Sequence, residues 1–327
     1  MEESYVPAWW LPDPHTMTMW GKFFRRRPSL PTRVERWTAP DGDQLSIVRL
    51  DAHPSAPRLI LLHGLEGSAR SHYMAGILEE ARQRGWGADL LLFRTCDGRM
   101  NEARRTYHSG ETTDLAFIVR RLMTEFPTVS FALVGVSLGG NVALKWLGER
   151  GAEVPPMLRA AVAISSPFDL ARSSRRIGQG FSRLYERNFL RSLRRKALAK
   201  LERFPELASR SAIAASRTIW EFDDAFTAIA HGFRDAADYY SRSSSIGYLA
   251  AIRVPTLLLS ARDDPFHPPE VLDEVEHIAR RNALLTPEFH SRGGHVGFVE
   301  GVSPRRARYY AERRVVDFCW RRFASVE

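Results

Sequence analysis

The chain holds a serine, an aspartate and a histidine in the order and settings that nucleophilic catalysis requires. Ser137 stands in Gly135-Val136-Ser137-Leu138-Gly139, a G-x-S-x-G pentapeptide. A hydroxyl is a weak nucleophile until a base takes its proton, and the base must in turn be oriented by an acid. The pentapeptide requires a strand before it and a helix after it. The apolar run 129–134 reads as a buried strand, and Asn141-Val-Ala-Leu-Lys-Trp-Leu-Gly as a helix. The flanking glycines let strand and helix approach around a strained turn; the flanks and the downstream residues argue against a plain glycine-rich turn. Where this turn occurs, the acid and then the histidine follow the serine. After the strand 256–260 come Asp263 and Asp264. Asp264 is favoured, because it fits the pattern acid, any, apolar, any, proline; Asp263 is expected to bond nearby backbone amides. His295 is the candidate base, since the glycines of Gly293-Gly294-His295-Val296-Gly297 let its loop fold back. His290 belongs to a strand, His267 to the acid's own loop and His277 to a helix. A developing oxyanion needs two backbone N–H donors, here Leu138 and Leu65, with His63 bracing the loop that carries Leu65.

These residues need elements to hold them. Segments 36–38 and 45–50 flank a turn and read as an antiparallel hairpin. Strands are expected at 58–62, 86–93, 160–164 and 256–260, with a last one beginning at 284–286; helices are expected at 73–84, 113–125 and 269–281. Such alternation predicts βαβ units and a mainly parallel sheet flanked by helices. Active sites in such sheets lie at the carboxyl ends of the strands, where loops 63–67, 94–98, 135–139, 263–268 and 293–297 fall. Residues 169–250 break the alternation: they are helical in pattern, with 15 Lys/Arg against 9 Asp/Glu. They read as a helical cap inserted before the acid-bearing strand. The expected organisation is an irregular N-terminal arm over 1–35, a core over 36–168 and 251–327, and the cap over 169–250.

The 327 residues are 44% hydrophobic, enough for a sizeable core. Two cysteines, Cys96 and Cys319, make no disulfide framework and suit a reducing, cytoplasmic compartment. No stretch approaches the roughly 20 apolar residues of a membrane span, and residues 1–14 lack the order of a secretory signal. The net charge of +9 favours anionic partners. Phe23-Phe24-Arg25-Arg26-Arg27 suits phospholipid headgroups or a solvated loop. The basic run 191–196 lacks interleaved aromatics and reads as a solvated helix face, so no nucleic acid is expected.

A set of motifs spread along the chain resembles the YheT-like family of α/β hydrolases, related to the mammalian ABHD1, ABHD2 and ABHD3 group. They are Leu11-Pro-Asp-Pro-His15, His63-Gly-Leu-Glu-Gly-Ser68, Ser71-His-Tyr-Met74, Arg94-Thr-Cys-Asp-Gly98, Tyr107-His-Ser-Gly-Glu-Thr-Thr-Asp114, Gly135-Val-Ser-Leu-Gly-Gly-Asn141, Asp263-Asp-Pro265 and Gly293-Gly-His-Val-Gly-Phe298. The resemblance implies an α/β-hydrolase fold and a triad of Ser137, Asp264 and His295. It also implies hydrolysis of short- to medium-chain carboxylic esters or acylglycerols, with no metal or organic cofactor. Thr95 and Val136 depart from the family's usual Gly and Phe at those positions and are expected to reshape the pocket mouth. The resemblance is expected not to extend to the membrane anchor of the mammalian relatives. Residues 107–114 suggest no chemistry; they read as a helix start capped by Ser109, with Glu111 and Asp114 in the first turn. The expected partners are a small-molecule ester or lipid and an anionic membrane surface. A thioesterase or amidase with the same triad, and a non-catalytic binding protein, are the alternatives.

Overall fold

The computed structural model describes residues 4–324. Its central sheet has eight strands in the order β1-β2-β4-β3-β5-β6-β7-β8. The strands are β1 (Thr32–Thr38), β2 (Gln44–Leu50), β3 (Arg58–Leu62), β4 (Gly87–Leu92), β5 (Phe131–Val136), β6 (Leu158–Ile164), β7 (Thr256–Ala261) and β8 (Leu285–His290). β2 runs antiparallel to β1 and to β4. All remaining pairs are parallel, so the carboxyl ends of β3 to β8 share one edge.

The inner strands are apolar on both faces because helices cover both. Ile60, Leu62 and Leu133 point to one core, with side chains of α3 (Thr113–Glu125), α4 (Leu138–Arg150) and α11 (Glu270–Ala279). Leu59, Leu61, Ala132 and Val134 point to the other, with α2 (His72–Gln83) and α12 (Tyr310–Phe323). Alternate residues serve opposite cores, as a strand's two-residue period demands. Each such Leu, fully buried, contributes about 1.5–3 kcal/mol, which makes the sheet a rigid base for the loops at its edge.

Between β6 and β7 the chain leaves the sheet as a helical cap: α5 (Leu170–Ile177), α6 (Arg183–Arg203), α7 (Arg210–Ala215), α8 (Ile219–Phe222), a π-helical turn (Asp223–Thr227), α9 (Ala228–His231) and α10 (Ala236–Ser243). The cap has an apolar centre of its own around Leu190, Leu201, Ile213 and Phe222. It departs and returns at one place. Ile246 N–H donates to Phe168 O at 3.0 Å, and Leu170 N–H to Ser244 Oγ at 3.0 Å.

Two expectations need correcting. The arm is not irregular throughout, because α1 (Pro14–Phe24) lies within it. Asp13 caps this helix, its Oδ1 accepting from His15 N–H at 2.9 Å and Thr16 N–H at 3.0 Å, and Pro14 fills the first position, where no N–H is needed. The arm's first three residues lie outside the described residues. The strand begun at 284–286 is also not the last, since β9 (Val299–Glu300) and β10 (Arg308–Tyr309) form a short antiparallel pair before α12.

Candidate active site

β5 delivers Ser137 into a turn that only its neighbours make affordable. Ser137 has φ 53° and ψ −121°, outside the regions a side chain prefers. Its N–H is fixed on Ile164 O at 2.8 Å. A Cβ on Gly139 would sit 2.5 Å from Leu62 O, so the sharp entry into α4 requires glycine there.

His295 Nε2 lies 3.0 Å from Ser137 Oγ, and His295 Nδ1 lies 2.8 Å from Asp264 Oδ2. Ser137, His295 and Asp264 therefore form one hydrogen-bonded chain drawn from the ends of β5, β8 and β7. The Phe266 ring stacks on the imidazole at 4.1 Å between centroids. Asp264 is fully buried, which alone would raise its pKa; the imidazoles of His295 and His267 outweigh burial and hold it well below the usual carboxylate range. His267 Nε2 is 3.2 Å from Asp264 Oδ2, in a geometry that leaves both His267 nitrogens without a hydrogen-bonded partner among the described residues. Asp263 does something else. Its Oδ1 accepts from Gly293 N–H and Gly294 N–H, each at 2.9 Å, and so fixes the loop that carries His295.

Leu65 and Leu138 both line the cavity on which Ser137 opens. A Cβ on Gly64 would be 3.2 Å from Ser137 Cβ, so this loop lies directly against the serine. The amides around Leu65 are engaged: Gly64 N–H with Tyr73 Oη at 3.1 Å, Glu66 N–H with Tyr107 Oη at 3.1 Å, and Gly67 N–H with Gly64 O at 2.9 Å. Leu138 N–H, at the first position of α4, has no intrahelical acceptor. His63 braces the loop, as read from sequence. Its Nδ1 bonds Gly64 O at 2.7 Å, its Nε2 accepts from Phe93 N–H at 3.1 Å, and burial lowers its pKa to about 4. His290 ends β8, and His277 lies in α11.

Ser137, Leu138, Leu65 and His295 line a cavity of about 690 Å³ roofed by the cap. Its wall mixes Leu170, Ile177 and Phe189 with Lys22, Arg27, Arg70, Arg191 and Arg195. Cys96 is no rival nucleophile, because burial pushes its thiol up to about 12.

Several further residues hold the site without any sequence signal that reveals it. Thr18 of α1 accepts from His295 N–H at 2.9 Å and donates to Pro14 O at 2.6 Å. Tyr107 stacks on Phe93 at 5.5 Å and donates to Glu66 Oε1 at 2.7 Å. Asn141 Nδ2 donates to Ser109 O at 2.7 Å and to Ser243 O at 2.8 Å, tying α4 to the 107–114 loop and the cap. That loop is therefore a junction. Ser109 does not cap α3: Thr112 holds the cap position, and Glu111 accepts from Thr113 N–H at 2.6 Å. Asp114 takes both Arg94 and Arg105, at 2.7 Å and 2.9 Å.

The basic run is corrected in part. Lys196 reaches Glu66 at 2.8 Å, and Arg194 donates to Ala214 O and Ser216 O at 3.1 and 3.0 Å, so both point inward. Val136 is buried among Val134 and Ile164 and is not at the pocket mouth. Thr95 lies in the left-handed region at φ 69°, which explains why glycine is usual there.

A family model described as the alpha/beta hydrolase fold matches residues 57–302. YheT of Escherichia coli (strain K12), named as an esterase, is 37% identical over 96% of this chain and 92% of its own length. The chain belongs to the YheT-like α/β hydrolases. The phospholipase ABHD3 of Mus musculus is 28% identical over 94% of this chain and 76% of its own length. A monoacylglycerol lipase of Saccharomyces cerevisiae is 31% identical over 81% and 59%. An esterase of Pyrococcus furiosus superposes with a TM-score of 0.59 at 19% identity, covering 98% of this chain and 97% of its own, a likeness of fold. This YheT-like chain is thus an esterase- and lipase-like α/β hydrolase. Among its described residues no helix is long and apolar enough to cross a membrane.

Proposed function

We propose that this protein hydrolyses carboxylic esters, with short- to medium-chain esters or acylglycerols as substrates, through an acyl-enzyme on Ser137. The observation that carries the reading is the chain from Ser137 Oγ to His295 Nε2 at 3.0 Å and from His295 Nδ1 to Asp264 Oδ2 at 2.8 Å, at the wall of the 690 Å³ cavity. His295 Nε2 takes the Ser137 proton as Oγ attacks the ester carbonyl. Asp264 holds the imidazole in the required tautomer and stabilises its charged form. The Leu65 and Leu138 N–H groups receive the developing oxyanion. The imidazolium then protonates the departing alcohol. A water, deprotonated by His295, attacks the acyl carbonyl and frees Ser137 and the acid.

Relatives named as an esterase, a phospholipase and a monoacylglycerol lipase support the ester and lipid class. The unpaired Cys96 and Cys319 support a cytoplasmic setting. A thioesterase or amidase would use the same groups, so the substrate series decides between them. The test is hydrolysis of p-nitrophenyl esters of increasing chain length, beside matched thioesters and amides. Ser137→Ala should lower kcat on the best ester by on the order of 10⁴–10⁶-fold with an unchanged melting temperature, and Ser137→Ala with His295→Ala should be barely worse than either alone. Ester hydrolysis surviving in Ser137→Ala would overturn the reading.

A further inference from the structure

Beside the cavity stand large apolar side chains that remain more than half exposed, with cationic side chains next to them. Phe23 and Phe24, in the last turn of α1, are 63% and 67% exposed. On the facing cap, Phe181 and Leu184 are 54% and 52% exposed. Each group adjoins side chains that line the cavity: Phe23 and Phe24 stand between Lys22 and Arg27, and the Phe181 ring lies 6.1 Å from that of Tyr185. Leu184 also begins the stripe of α6 that continues through Asn188, Arg191 and Arg195, all three in the cavity wall. Four such side chains at one opening are not the scattered apolar residues of an ordinary surface.

Cations alternate with them. Lys22, Arg27, Arg70, Arg191 and Arg195 line the mouth, and Arg26 stands exposed between Phe24 and Arg27. The other arginine between them is held otherwise: Arg25 turns inward and pairs with the buried Glu312. None of the six at the rim has a carboxylate partner among the described residues. Apolar tips beside unneutralised cations around a cavity entrance match the layering of a phospholipid surface, with acyl chains beneath a sheet of phosphates.

We propose that this face seats on a bilayer containing anionic phospholipid. Phe23, Phe24, Phe181 and Leu184 enter the acyl boundary, while Lys22, Arg26, Arg27 and Arg191 engage phosphates. A substrate lipid then passes from the bilayer into the cavity without crossing water. The proposal rests on the ester-hydrolase reading of the cavity and adds the source of its substrate.

The test is co-sedimentation of the full chain with vesicles of phosphatidylglycerol and phosphatidylcholine, and with vesicles of phosphatidylcholine alone. Binding to the anionic vesicles should be at least about tenfold tighter at roughly 0.1 M salt, and the advantage should shrink toward 1 M, where the screening length falls from about 10 Å to about 3 Å. Phe23→Ser with Phe24→Ser, Phe181→Ser with Leu184→Ser, and Arg26→Glu should each weaken vesicle binding several-fold while hydrolysis of a soluble p-nitrophenyl butyrate stays as in the wild type. Equal partition of the wild type between the two vesicle types at low salt would overturn the proposal, and so would variants that bind as tightly as the wild type. The soluble ester is a separate readout: its failure in the wild type would sink the hydrolase reading, whatever the vesicles show.

Discussion

Two adjacent carboxylates serve one loop in different ways. Asp264 meets the imidazole of His295, and Asp263 holds the two amides that precede it. Asp264→Asn presents the wrong hydrogen-bonding face to His295 Nδ1 and should lower kcat by on the order of 10³–10⁴-fold. Asp263→Asn keeps an oxygen for Gly293 and Gly294 and exchanges charged hydrogen bonds for neutral ones, so it should cost less than about tenfold. Steady-state kinetics of the two variants checks the ranking, and the reverse order would move the orienting role to Asp263. This division was legible in the chain, because the acid's spacing to Pro268 and the loop glycines are both local. His267 was legible only as a member of the acid's own loop; its approach to 3.2 Å from Asp264 Oδ2 follows from the path of that loop.

At the scale of elements, the arm is a working part of the site. The loop of His295 has positive φ at Gly294, Val296 and Phe298, so its shape must be imposed by what packs on it. α1 imposes it from one side: a Cβ on Gly294 would lie 2.6 Å from Pro14 O, and Thr18 Oγ1 takes the His295 N–H. Ser165 Oγ takes the Val296 N–H from the other, at 3.0 Å. Thr18→Val keeps the shape and removes the acceptor, orphaning a buried N–H at a cost of about 1–3 kcal/mol. We expect kcat to fall about tenfold with KM unchanged, and Thr18→Ser to restore it. A lower melting temperature with full kcat would make Thr18 a structural residue only. The sheet was readable because each strand is a short apolar run with turn residues at its ends. α1 had its signal as well, in the Asp13-Pro14 pair that caps and starts it. The junction at 107–114 had none, since Tyr107 meets Glu66 and Asn141 meets Ser243 across separations that periodicity does not report.

Across the whole molecule, stability depends on pH through a carboxyl group inside the cap. Asp223, in the π-helical turn, accepts from Thr227 Oγ1 and Tyr240 Oη at 2.6 Å each, and burial raises its pKa from 3.8 to about 6 despite both bonds. A raised folded value means that its stabilising share is complete below about pH 4 and is lost as pH rises through about 6. The rise corresponds to roughly 3 kcal/mol. Asp223→Asn cannot ionise. Relative to the wild type it should therefore gain about 2–3 kcal/mol between pH 4.5 and pH 8 in urea unfolding; a constant difference would mean that Asp223 keeps its ordinary value when folded. The same cap leaves the sheet after Phe168 and rejoins it at Ile246 across a single backbone hydrogen bond. The rest of its attachment is a set of ties to the core, among them Asn141 Nδ2 to Ser243 O and Lys196 to Glu66, each at 2.8 Å. Lengthening a closed excursion costs little, about 0.6 kcal/mol for each doubling of a flexible loop. A cap of different length or composition spliced between those two residues would therefore have to bring its own counterparts of these ties, which brace the helix behind Ser137 and the loop of Leu65, so the segment is exchangeable only as a unit that carries its docking contacts with it.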